Sequence, residues 1–71
     1  GVLGGRRAVF VTLRTRDGAL RGCMGTLTPQ DRDVVAETWR MARQAALRDP
    51  RFDPVTPSEL ADLRIEVSVL H

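Results

Sequence analysis

The chain has 71 residues and a formal net charge of +2, with all eleven basic residues being Arg against nine acids. It can build one small domain at most, and its single Cys and single His exclude an internal disulfide or a Cys/His zinc site of its own. The charges alternate without a basic block, and Phe10, Trp39 and Phe52 form no base-stacking motif, which argues against nucleic acid as a partner.

Gly1 to Gly5 reads as a loose opening segment, with no charged start leading into an apolar core of the kind a signal peptide has. Arg7 to Arg14 is rich in β-branched and aromatic residues, so it is predicted as a strand. Val9, Val11 and Leu13 point one way and Ala8, Phe10 and Thr12 the other, making both faces largely apolar. Asp17-Gly18 signals a tight hairpin of type I′, which needs positive φ at both central residues. Leu20 to Leu27 is then a second, antiparallel strand.

Pro29 breaks that strand. Gln30 or Asp31 can cap a helix running to about Leu47 or Arg48, with Asp31 and Asp33 suiting its positive end. Val34, Val35, Thr38, Trp39, Met41, Ala42, Ala45 and Ala46 fall within an arc of about 160°, the expected buried face. Arg32, Asp33, Glu37, Arg40, Arg43 and Gln44 fall on the expected wet side. Trp39 is expected as a core or interface anchor. Asp49-Pro50 ends the helix, because a residue before proline avoids the helical region. Asp49 can pair with Arg51 or cap a turn. Thr56-Pro57-Ser58-Glu59 is a capping box opening a short helix to about Asp62. Leu63 to Leu70 alternates, with Leu63, Ile65, Val67 and Val69 inward and Arg64, Glu66 and Ser68 outward.

The predicted fold is therefore α+β in the order β-β-α-(short α)-β. A right-handed crossover places the third strand beside the first, giving a mainly antiparallel sheet of order 2-1-3 with the helix on one face. The other sheet face is expected to be apolar and open. A chain this short comes out near zero net stability once ordering entropy is set against burial. A homo-oligomer, or the rest of a larger domain, is one way to complete it. No apolar run approaches the ~20 residues that cross a bilayer, and a lone thiol suits a reducing cytoplasm.

The second strand, Leu20-Arg21-Gly22-Cys23-Met24-Gly25-Thr26-Leu27, carries whatever chemistry there is. Two glycines inside a strand mark a bulge or a close backbone approach. Strict alternation puts Arg21, Cys23 and Gly25 on one face, where a cation two residues from a thiol favours the thiolate. Gly25 would leave room for a ligand atom, and Gly22 would expose a backbone N–H. The plainer reading makes Cys23 a small packed hydrophobe, since the base that cysteine catalysis uses is usually His and the only His is terminal His71. Thr12 could supply a hydroxyl nearby but reads more simply as a strand residue. No GxGxxG, P-loop, HExxH or GxSxG motif is present.

Val9-Phe10-Val11-Thr12-Leu13 followed by Leu20-Arg21-Gly22-Cys23-Met24-Gly25 resembles the AMMECR domain family, whose hallmark is Leu-Arg-Gly-Cys-Ile-Gly. Met24 replaces Ile here. Asp49-Pro50-Arg51-Phe52 is similar to the family's second hallmark, and Pro57-x-Glu59-Leu60 with Ile65 to Leu70 is similar to its third. The resemblance implies that residues 1–71 form a single segment, the central part of a larger AMMECR-like domain. It implies Cys23 and Arg21 as catalytic candidates, and Gly22, Gly25, Asp49, Arg51 and Phe52 as binding candidates, with no metal and no specified cofactor. The implied setting is a modification pathway shared with a Memo-like protein and a radical S-adenosylmethionine enzyme. Two functional classes follow: a catalytic or substrate-carrying thiol component, or a non-catalytic ligand-binding or protein-interaction module.

Overall fold

A computed structural model describes residues 7–26, 28 and 32–70. The elements follow the predicted order: β1 (Val9–Thr15), β2 (Leu20–Gly25), α1 (Val34–Leu47), a 3-10 helix η1 (Pro57–Asp62) and β3 (Leu63–Val69). The three strands form one antiparallel sheet in the order β2-β1-β3. The Gly1 to Gly5 segment, Leu27, Pro29, both expected caps Gln30 and Asp31, and His71 lie outside the described residues.

The hairpin differs from expectation at its turn. Gly18 alone has positive φ, at 91°, and no described non-glycine residue does. The Gly18 N–H donates to the Thr15 carbonyl and the Thr15 N–H to the Ala19 carbonyl, each at 2.9 Å. Three residues, Arg16-Asp17-Gly18, therefore make the loop, with glycine at the left-handed position after an ordinary turn. A two-residue type I′ turn would have forced Asp17 to positive φ as well.

Helix α1 is capped by Asp33, whose Oδ1 accepts from the Ala36 N–H at 2.9 Å. Its start therefore falls two or three residues later than expected. The helix packs on β1 and β2. The seam consists of Val34, Met41 and Ala45 against Val9, Val11 and Leu13, with Met41, Val9 and Val11 wholly buried. A Cβ at Gly22 would collide with the Ala45 carbonyl oxygen, so this glycine sets how closely helix and sheet approach.

Several expectations about burial fail together, Val35 of the expected buried arc being exposed as well. Glu37, assigned to the wet side, is fully buried and paired with Arg40. Trp39 is 69% exposed, which contradicts the core half of its expectation. The apolar arc of α1 is wide enough to cover two surfaces, and the helix uses only one edge of it against β1 and β2. The other edge, Val35, Trp39, Ala42 and Ala46, overhangs β3. There Ile65 and Val67 share the helix side with Val9, Val11 and Leu13 through the register Val11↔Val67 and Leu13↔Ile65, and they remain exposed. The open apolar surface is thus beside the helix. The far sheet face, expected to be apolar, is mixed: Phe10, Thr12 and Cys23 lie beside an Arg14–Glu66 ion pair at 2.6 Å.

Candidate functional site

Four of the site candidates, Cys23, Asp49, Arg51 and Phe52, converge where β2 meets the loop after α1. Asp49 leaves the helix end with its side chain buried. Its Oδ2 accepts from the Cys23 backbone N–H at 2.9 Å and from Arg51 Nη2 at 2.7 Å. Its Oδ1 accepts from the Arg51 Nε and backbone N–H, each at 3.0 Å. The Arg51 side chain and backbone bonds hold the Asp49 carboxyl well below the usual carboxylate range, with the Cys23 N–H adding to them. Asp49 in turn raises the Arg51 pKa through its hydrogen bonds and its charge. The Arg51 guanidinium lies 5.5 Å from the Phe52 ring centroid, within cation–π range. Asp49, Arg51, Phe52 and Cys23, drawn from two stretches of sequence, form one cluster.

Cys23 is a half-buried free thiol. Its sulfur lies 3.5 Å from Thr12 Oγ1, the residue directly opposite on β1. Gly25 faces Phe10, and the Phe10 ring fills the space a Cβ there would need. That space, expected to admit a ligand atom, is taken by an aromatic ring. Gly22, expected to expose its N–H, lies buried beneath α1.

Arg21 is placed elsewhere than alternation implies. The β1–β2 register pairs Leu13 with Gly22 and Arg14 with Leu20, leaving Arg21 as the extra residue of a bulge. Its guanidinium makes a two-pronged ion pair with Glu59 of η1, Nε to Oε2 at 2.8 Å and Nη2 to Oε1 at 3.1 Å. Arg21 and the Thr56 N–H together draw the Glu59 pKa down to about 2. Glu59 also accepts from the Thr56 N–H at 3.0 Å, which is the reach-back half of the expected capping box. Sequence reasoning gave Glu59 the capping role and missed its pairing with Arg21. No group of three or more metal-ligating side chains gathers among the described residues.

A thiol on a short antiparallel sheet, braced by an Asp-Pro-Arg-Phe turn at a helix end, defines an α+β domain with one cysteine-centred cluster. The AMMECR1 family model matches residues 2–71, and the chain belongs to that family. It is 46% identical over 65 residues to a protein of Thermotoga maritima, covering 92% of this chain and 37% of that one. It is 49% identical over 65 residues to a protein of Methanothermobacter thermautotrophicus, covering 92% and 33%. The crystal structure of the uncharacterised protein PH0010 from Pyrococcus horikoshii superposes with a TM-score of 0.90 at 42% identity, covering 99% of this chain and 36% of that one. The chain thus spans about a third of the length of these relatives. No helix among the described residues is long and apolar enough to cross a membrane.

Proposed function

We propose that this segment carries a thiol-centred site in which Cys23 is the reacting or substrate-carrying atom and Arg51 is the cation that receives an anionic group beside it. The observation that supports the reading is the shared carboxylate: Asp49 grips the Cys23 backbone N–H and the Arg51 guanidinium at once. Buried and ionised, it ties the Arg51 guanidinium to the Cys23 backbone, and a cation held beside a thiol is a known route to thiolate reactivity. Arg21 acts as a brace between β2 and η1, a role its bidentate bond to Glu59 supports. Phe52 limits the freedom of Arg51 from the side. The general base that cysteine chemistry needs is not among these residues, so it would come from substrate or from another part of a longer chain. The setting is a cytoplasmic modification pathway, with a Memo-like protein and a radical S-adenosylmethionine enzyme as companions by family resemblance.

Competing alkylation tests this. Iodoacetate is an anion and iodoacetamide is neutral, so Arg51 should favour the first. In wild type, Cys23 is expected to react faster with both than an unstructured peptide thiol does. Arg51→Ala should slow iodoacetate by about tenfold while changing iodoacetamide less, and Arg21→Ala should change neither ratio. A Cys23 that reacts at the peptide rate, indifferent to Arg51→Ala, would remove the thiol reading.

The second reading is a non-catalytic module. It is favoured by the Thr12 contact at Cys23 and the Phe10 ring at Gly25, both of which look like packing. It is the reading that survives an unreactive Cys23.

A further inference from the structure

From the outer edge of β3, we infer that two copies of this chain pair through that strand, antiparallel about a two-fold axis at Ile65, to make one continuous six-stranded sheet. The inference goes beyond the thiol reading and does not depend on it.

The direction of the backbone groups sets which registers are open. The Leu70 N–H donates to the Ala8 carbonyl at 2.9 Å. With the β1–β3 register, this turns the N–H and C=O groups of Arg64, Glu66, Ser68 and Leu70 toward β1. Leu63, Ile65, Val67 and Val69 therefore turn theirs outward, along an edge that no described strand covers. A second β3 must put these outward residues opposite one another.

Side-chain charge then selects among the allowed registers. With Glu66 on the axis, two Glu66 carboxylates face each other. With Arg64 on the axis, two guanidinium groups do. With Val67 on the axis, Glu66 faces Ser68 and Arg64 has no acid. With Ile65 on the axis, Arg64 of each copy faces Glu66 of the other, and Leu63 faces Val67. Those Arg–Glu pairs sit at positions without cross-strand hydrogen bonds, where facing side chains come closest. Arg64 makes no ion pair among the described residues, and its neighbour on β1 is another cation, Arg14, already bonded to Glu66. The second copy supplies the acid that Arg64 lacks.

On the helix side, the same register brings Ile65 against Ile65. Ile65, at 63% exposed, is among the most open apolar side chains of the fold, with Trp39 and Leu60 close by on the same groove. The groove walled by Val35, Trp39, Ala42, Ile65 and Val67 becomes the floor between two α1 helices. An open, apolar edge strand is a ready template for pairing with another chain, and a two-fold contact closes it without growing a filament.

Sedimentation equilibrium of the 71-residue chain should show a dimer at micromolar concentration. Arg64→Glu places a carboxylate opposite Glu66 of the other copy while giving Arg14 a second acid neighbour within its own chain, so the monomer fold is kept. Its dissociation constant should rise at least about tenfold. Glu66→Arg should weaken the dimer similarly. Mixing the two variants should restore assembly as a one-to-one heterodimer, because every facing pair is then Arg with acid, an outcome misfolding cannot mimic. A monomer at all concentrations, which would mean that other parts of a longer chain occupy this edge, overturns the inference. So does a dimer that neither variant weakens, or a mixture that fails to reassemble.

Discussion

At Asp49 two carboxylate oxygens accept from four donors, and these bonds favour the ionised form over the neutral one. Glu59 is held in the same way by Arg21 and Thr56. Both carboxyls have a lower pKa folded than unfolded, so the unfolded chain takes up protons first as pH falls. Their stabilisation is fully present above about pH 4.5, the ordinary glutamate value, and drains away as pH drops toward 2, where Glu59 titrates when folded. Urea titrations across that range should show stability falling with acid. Glu59→Gln should flatten the upper part of the fall, and Asp49→Asn should flatten the remainder while lowering stability at neutral pH. A stability that rises on acidification would contradict the arrangement. Sequence reading singled out Asp49, Arg51 and Phe52 by motif and Cys23 by its odd strand. It could not see that Asp49 joins the Cys23 backbone N–H to Arg51 while Arg21 pairs with Glu59. Arg51 is distant along the chain and arrives only through the packing of the helix end on β2, whereas Arg21, near in sequence, is the extra residue of a bulge and is taken up by Glu59.

The elements themselves were largely legible. β-Branched and aromatic content gave β1, alternation gave β3, Asp17-Gly18 gave the hairpin, Asp49-Pro50 gave the helix end, and the crossover rule gave the strand order. What failed was rotation of α1 about its own axis. A broad apolar arc does not say which of its edges is buried, and Glu37 reads as solvated until the sheet is placed against it. Gly22 is the residue that fixes this docking, because the Ala45 carbonyl occupies the place of its Cβ. Gly22→Ala should push the helix off β2 and cost about 1–3 kcal/mol in chemical denaturation, as overpacking does. The neighbouring Gly18→Ala is also unfavourable, but there the backbone is strained and space is free. A thermal shift larger for Gly18→Ala than for Gly22→Ala would mean that helix and sheet are not as closely seated as described.

Over the whole molecule, one side of the sheet is finished and the other is not. Helix α1 closes β1 and β2, and nothing described closes the outer edge of β3 or the apolar strip beside it. The size arithmetic anticipated a missing cover and put it on the wrong face, because both faces of β1 look apolar in isolation and only the register shows Arg14 and Glu66 making the far side polar. The sheet order has a dynamic consequence. Within one copy, and among the described strands, β3 is fastened along β1 alone, while β1 is clasped between β2 and β3 beneath the helix. Small openings of the native state should therefore release β3 first and leave β1, β2 and α1 standing. In amide hydrogen exchange of the unpaired chain, below the concentration at which two copies associate, β3 should lose protection at a lower free energy than the centre of β1. Its inward amides at Arg64, Glu66 and Ser68 should exchange as one cooperative group, so that this small sheet behaves as two units of unequal lifetime.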